Sequence, residues 1–167
     1  MKIFGRKLDD GPGGFDPAYL GLRDQVLSLT AEVLGDAAAD APVLALLMET
    51  GYPGAVATLV GVVDGSTSLY LSNGGGVLGA GEHAQVAEAT RRWLEVGHLQ
   101  LAELAPTSES SPPELGLTQF VAVTPGGLLA ASAPEQELGA GKHALSPLFY
   151  AGQNVITQLR LLEEQRA

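Results

Sequence analysis

Hydrophobic positions along this chain recur first with a helical period. Asp16-Pro17 predicts a helix start, because an Asp carboxylate caps free N–H groups and Pro fits the first turn. Tyr19, Leu20, Val26, Leu27, Val33 and Leu34 then share one face, and Gly35 predicts the stop. The pattern changes at residues 42–50, PVLALLMET, which show no alternation. Such a run fits a strand buried on both faces or a short buried helix, and the turn-rich GYPG that follows favours the strand. Residues 55–63, AVATLVGVV, are β-rich. Asp64-Gly65 then predicts a hairpin turn into residues 66–72, where Leu69 and Leu71 alternate with Ser66, Ser68, Tyr70 and Ser72. The hydroxyl-bearing side of that strand is expected to face water or a partner.

A glycine loop, SNGGGVLGAG, leads into a second helix starting near Glu82. Its inner stripe is Val86, Ala87, Thr90, Trp93, Leu94, Leu101 and Leu104, with Glu88, Arg91, Arg92 and Glu95 opposite. Gly97 marks either close packing or a break. Residues 106–116, PTSESSPPELG, read as a surface linker. Residues 117–124 and 127–133 flank Pro125-Gly126 as a second hairpin, and Ser146-Pro147 starts a last helix lined by Leu148, Gly152, Val155, Ile156, Leu159 and Leu162.

One near-repeat ties the pattern together. Residues 78–84 read LGAGEHA and residues 138–144 read LGAGKHA, each placed between a predicted hairpin and a predicted helix. The expectation is two ββα units sharing one antiparallel sheet of four to five strands, with an N-terminal helix and helices packed on the sheet: an α+β fold. Residues 1–15 read as a flexible tail. Residues 16–167 read as a single domain, with the surface linker near 105–116.

Composition narrows the function classes. The chain has 167 residues, no cysteine and a formal charge of −10. Thiolate metal sites and disulfides are thereby excluded, and a reducing, cytoplasmic setting is expected. The acidic balance argues against nucleic acid as a partner, because phosphate contacts need clustered Lys and Arg. No apolar run reaches the ~20 residues of a membrane span, and Asp9 and Asp10 interrupt the start before a signal core forms, so no stable membrane association is expected.

The candidate chemistry is sparse. Gly139-Ala140-Gly141-Lys142 lacks both the leading glycine and the following Ser or Thr of a P-loop; Gln136 and His143 stand there instead. A helix N-terminus attracts anions, and Lys142 would welcome one where Glu82 would repel it. If the two units face each other, Glu82, His83 and His143 converge, but nothing supplies the support a metal needs, so no metal and no cofactor are assigned. Glu82 and Lys142 would also face one another in that arrangement. Ser146 is accounted for by capping, and no catalytic residue is assigned; the chain leans away from being an enzyme. The residues placed to contact a small ligand or anion at the glycine-rich loops are Tyr70, Gly81, His83, Gly141, Lys142 and His143. The residues placed at an interface are Ser68 and Tyr70, on a strand expected at an edge, and Gln153, Asn154 and Gln158, on an uncharged helix face.

The stretches VDGSTSLYLSNGGGVLGAGEH and HALSPLFYAGQNVITQL resemble a set of bacterial proteins of unknown function. The order of elements is also similar to roadblock and profilin-like domains, a resemblance that implies homodimers or scaffolds for signalling GTPases and carries over no binding residue. The expected function is a non-catalytic interaction or scaffold domain, homodimeric or with another protein as partner. A small-ligand sensor is the alternative.

Overall fold

A computed structural model describes residues 2–5, as backbone, and 14–166. Strand β1 spans Lys2–Gly5, and the remainder of the expected tail before Gly14 lies outside the described residues. Helix α1 covers Pro17–Leu27, and a short α2 covers Ala31–Leu34. Four strands follow: β2 (Ala45–Tyr52), β3 (Ala55–Val62), β4 (Thr67–Leu71) and β5 (Gly75–Leu78). Helix α3 (Ala84–Leu99) separates them from β6 (Ala105–Thr107), β7 (Leu117–Thr124) and β8 (Gly127–Pro134). A five-residue α4 (Glu135–Gly139) and the long α5 (Ser146–Arg166) close the chain.

The class is α+β, as the hydrophobic pattern implies, but the strand count expected from it is too low. One antiparallel sheet holds seven strands between residues 45 and 134, with β1 as an eighth, in the order β1-β5-β4-β3-β2-β7-β8-β6. The additional strands, β1, β5 and β6, are only three or four residues long, too short for alternation to show in sequence. They are defined by the neighbours they pair with.

Strand β2 sits between β3 and β7 near the middle of the sheet, and helices cover both faces. Leu46 and Met48 point towards α3 and α5, packing with Leu59, Phe120 and Trp93. Ala45 and Leu47 point the other way, towards α1, with Val60, Val121 and Tyr19. Burial on both sides is the physical reason that residues 42–50 carry no alternation. Gly97 is a packing position, since a Cβ there would stand 2.5 Å from Leu46 Cδ1.

The first helix is shorter than its periodicity suggests. Ser28 Oγ donates to Asp24 O at 2.7 Å, and Thr30 Oγ1 accepts from Val33 N to start α2. These hydroxyls compete for backbone groups and split the helix, leaving Val33 73% exposed. Residues 106–116 are also more structured than a plain linker. Their first residues pair with β8, and Gly116 N donates to Gly51 O at 2.9 Å.

Candidate functional site

The two copies of LGAG[E/K]HA are not one structure used twice. In the first copy, Gly79 takes φ +69°, Ala80 is fully buried in the core, and Gly81 lies against the β3–β4 turn. A Cβ on Gly81 would fall 1.8 Å from Gly65 O, so only glycine fits that approach. In the second copy Gly139 ends α4, Ala140 is exposed, and the positive φ moves to Gly141, at +73°. The shared letters serve different backbone paths, and no symmetry follows from them.

Helices α3 and α5 run antiparallel. His83 at the start of α3 lies near the end of α5, with Nε2 3.4 Å from an Arg166 guanidinium nitrogen and 3.6 Å from Glu82 Oε1. His143 stands at the other end. There Gln100, the C-cap of α3, donates to Ala144 O and accepts from Leu148 N. The 16 residues of α3 span about 24 Å at ~1.5 Å per residue, so Glu82, His83 and His143 do not converge. Glu82 and Lys142 likewise sit at opposite ends and do not face each other.

At the start of α5 the free N–H groups already have protein acceptors. His143 Nδ1 accepts from Leu145 N at 3.0 Å, and His143 O accepts from Ser146 N. Ser146 Oγ accepts from His143 N and donates to Leu138 O. With Gln100 on Leu148 N, the donors that would cradle an anion beside Lys142 are largely engaged.

The strand that carries Ser68 and Tyr70 is not an edge; β4 lies between β3 and β5. Tyr70 is buried beneath the α1 side of the sheet, where burial pushes its phenol up from the ordinary value. Ser72 Oγ accepts from Val56 N at 2.7 Å, and Ser68 is half-buried. Tyr70 and Ser72 are both buried, so they are not available as an interface.

The polar centre of the fold involves residues that the hydrophobic pattern does not reveal. One rung of the sheet runs Thr58, Glu49, Gln119, Ser132 across β3, β2, β7 and β8. Glu49 is fully buried, and Arg23 of α1 grips it through Nε, 3.0 Å from Oε2, and a terminal nitrogen, 2.9 Å from Oε1. Thr58 Oγ1 lies 3.3 Å from Glu49 Oε2 and 2.8 Å from Tyr19 Oη. Arg23 also donates to Ser110 O and Ser110 Oγ, while Gln119 Nε2 donates to Ser110 Oγ and Ser111 O. The segment after β6 is thus strapped over the ion pair. Burial holds the Glu49 carboxyl above its ordinary range, opposed by Arg23. Tyr19 is pushed up to about 12, mainly by burial and then by the Glu49 charge. Arg23, Glu49, Thr58 and Tyr19 are all buried, and together they act as a polar keystone. Its sequence signal is slight: one carboxylate in a nine-residue run whose other polar member is Thr50.

The outer faces of α3 and α5 differ. On α3, Arg91 binds Glu88 at 2.7 Å and also Glu95, and Arg92 reaches Glu88 at 3.1 Å. Those guanidiniums hold the exposed Glu88 carboxyl down at about 2. On α5, residues 146–159 contain no charged side chain. The core stripe Leu148, Gly152, Val155 and Leu159 is buried. At 100° per residue, Tyr150, Asn154, Thr157 and Leu161 lie directly opposite it. Tyr150 is 47% and Leu161 41% exposed. Gln153 and Gln158 flank this stripe, half-buried, and Gln158 Nε2 reaches Asn154 Oδ1 at 3.5 Å.

Among the described residues no cluster of three or more metal-ligating side chains occurs, and no helix is long and apolar enough to cross a membrane. Comparison of the chain with protein-family models, with curated proteins and with solved structures returns no match.

Proposed function

We propose that this chain is a non-catalytic, cytoplasmic interaction domain that forms a homodimer through the outer face of α5. The observation that supports this reading is the uncharged stripe Tyr150, Asn154, Thr157 and Leu161 on a chain of net charge −10. A merely solvated helix face carries charges, as α3 does, whereas the centre of an interface is depleted of them. The stripe also has a palindromic spacing of four, three and four residues. Two copies of α5 packed antiparallel about a two-fold axis therefore match Tyr150 with Leu161 and Asn154 with Thr157, in the manner of a short coiled-coil seam.

The polar groups that could have suggested catalysis support the same reading, because each has a structural task. Ser146 and His143 complete a helix start, and Glu49 holds Arg23. Sedimentation velocity over a wide concentration range tests the proposal. The wild-type chain is expected to sediment as a dimer. Asn154→Glu with Leu161→Glu, which sets two like charges into the seam from each side, is expected to yield folded monomer. A wild-type monomer at every concentration, or an unchanged dimer in the double variant, would overturn it.

A further inference from the structure

We propose that, in the dimer formed through α5, each copy seats its Arg160 in a groove of the other, against the carboxylate of Glu135. This rests on the α5 seam and adds to it a charge pair that fixes the register. The groove lies between α4 and the start of α5 and has a volume of about 670 Å³. Gly116, Pro134, Glu135, Phe149, Tyr150 and Gln153 line it. Tyr150 belongs both to this lining and to the seam, so the groove opens at the seam's edge.

The lining suits a cation. Glu135 is half-buried, and its backbone N–H donates to Gly116 O at 3.0 Å, which fixes the start of α4. Tyr150 Oη donates to Gly139 O at 2.7 Å, which holds the ring in place. Among the described residues no Lys, Arg or His lies within 4 Å of the Glu135 carboxylate. The N-terminal end of the chain is tied to the opposite margin of the sheet, with Gly5 paired to Gly75 and Asp16 N donating to Ser72 O. Strand β1 is six strand spacings, about 29 Å, from β8. The Glu135 charge reaches Tyr52, whose phenol is raised from its ordinary value by burial and then by that carboxylate. A guanidinium fits such a lining best, because it stacks on a tyrosine ring while donating to a carboxylate.

The seam brings that guanidinium. Its centre falls between Val155 and Ile156, and residues equally far from the centre on the two antiparallel helices lie level with each other. Arg160 is the fifth residue after the centre and Ala151 the fifth before it. The partner's Arg160 therefore stands level with Ala151, midway along the α5 wall of the groove between Phe149 and Gln153. At 100° per residue, Phe149, Gln153, Ile156 and Arg160 share one flank of α5, between the core stripe and the seam. A two-fold axis perpendicular to two antiparallel helices sets that flank of both on the same side. Arg160 is the one cation in residues 146–165, is 68% exposed, and makes only a long contact, 3.9 Å, to Glu164.

The test uses two full-length single variants, Glu135→Arg and Arg160→Glu. Each sets like charges together at both grooves of its own homodimer, and sedimentation velocity is expected to show dimerisation weakened roughly ten- to hundred-fold. Mixed, the two variants restore opposite charges at both grooves, and native mass spectrometry is expected to show the heterodimer as the main species. Glu32→Arg, an equal change of charge on α2 across the sheet, is expected to dimerise as the wild type does. Wild-type dimerisation by either single variant, a merely statistical share of heterodimer in the mixture, or an equal loss in Glu32→Arg would overturn the Arg160–Glu135 pair. If Asn154→Glu with Leu161→Glu still gives monomer in that event, the seam stands without the pair. A wild-type monomer at every concentration overturns both.

Discussion

Arg23→Met removes the guanidinium while keeping much of its apolar stem. Glu49 then loses its cation and its three contacts at 2.9–3.2 Å, and the strap loses its two bonds at Ser110. Because Glu49 is fully buried, no water replaces the lost donors. Removing one partner of such a pair costs about 3–5 kcal/mol. For a chain of this size each kcal/mol lowers the melting temperature by about 2–4 °C, so a fall of roughly 6–20 °C is expected. Urea unfolding followed by circular dichroism gives the free energy directly. Arg23→Met combined with Glu49→Leu removes the stranded carboxylate as well and is expected to recover most of the loss. The sign of the pH dependence follows from the same geometry. A carboxyl whose folded-state value lies above its unfolded one binds more protons when folded, so stability falls as pH rises from near 4.5 through the folded value. Arg23 opposes that shift. Without it the window extends to higher pH, and the deficit of Arg23→Met is smaller at pH 5 than at pH 8. A loss below about 1 kcal/mol, simple additivity in the double variant, or a deficit that shrinks with rising pH would refute the reasoning.

Other substitutions probe separate parts of the fold. Gly79→Ala forces a side chain into φ +69° and is expected to cost about 1–2 kcal/mol, whereas Gly139→Ala, its counterpart by spelling, is neutral or stabilising by up to ~1 kcal/mol; chemical denaturation compares them. Gly81→Ala meets a backbone oxygen and is expected to lower stability by more than ~2 kcal/mol in the same assay. Ser146→Ala loses both bonds of a buried hydroxyl at the start of α5, with an expected cost of about 1–2 kcal/mol by urea unfolding. Tyr19 ionises only at about 12, above the value near 10 of an unfolded tyrosine, so its contribution to stability is lost as pH climbs from 10 towards 12. An alkaline absorbance titration of Tyr19→Phe against wild type is expected to lack that last-titrating phenol.

Much of the fold is legible along the chain because apolar periodicity reports which faces are buried. The α5 face, the helical part of the α3 face, the β3–β4 and β7–β8 hairpins and the buried strand within residues 42–50 follow from it, whereas on α1 only Tyr19 and Val26 of the expected face are buried. Short strands escape, since Gly75–Leu78 and Ala105–Thr107 are defined by their partners alone. The LGAG[E/K]HA pair misleads for a physical reason: glycine permits several backbone paths, so equal letters at Gly79 and Gly139 do not impose equal dihedrals. The Arg23–Glu49 pair is invisible because its members lie 26 residues apart on a helix and a strand, and sequence order does not show which helix face meets which strand. The uncharged run on α5 was readable, yet its palindromic seam needs the core stripe to define which side is outward.

The proposed dimer depends on that seam, and the absence of cysteine from the chain allows a direct measurement. An Asn154→Cys chain mixed with a Thr157→Cys chain, oxidised at low concentration, is predicted to give a disulfide-linked heterodimer in high yield, while Arg92→Cys gives none. Equal cross-linking by all three, or no cross-link between positions 154 and 157, would contradict the antiparallel α5 interface.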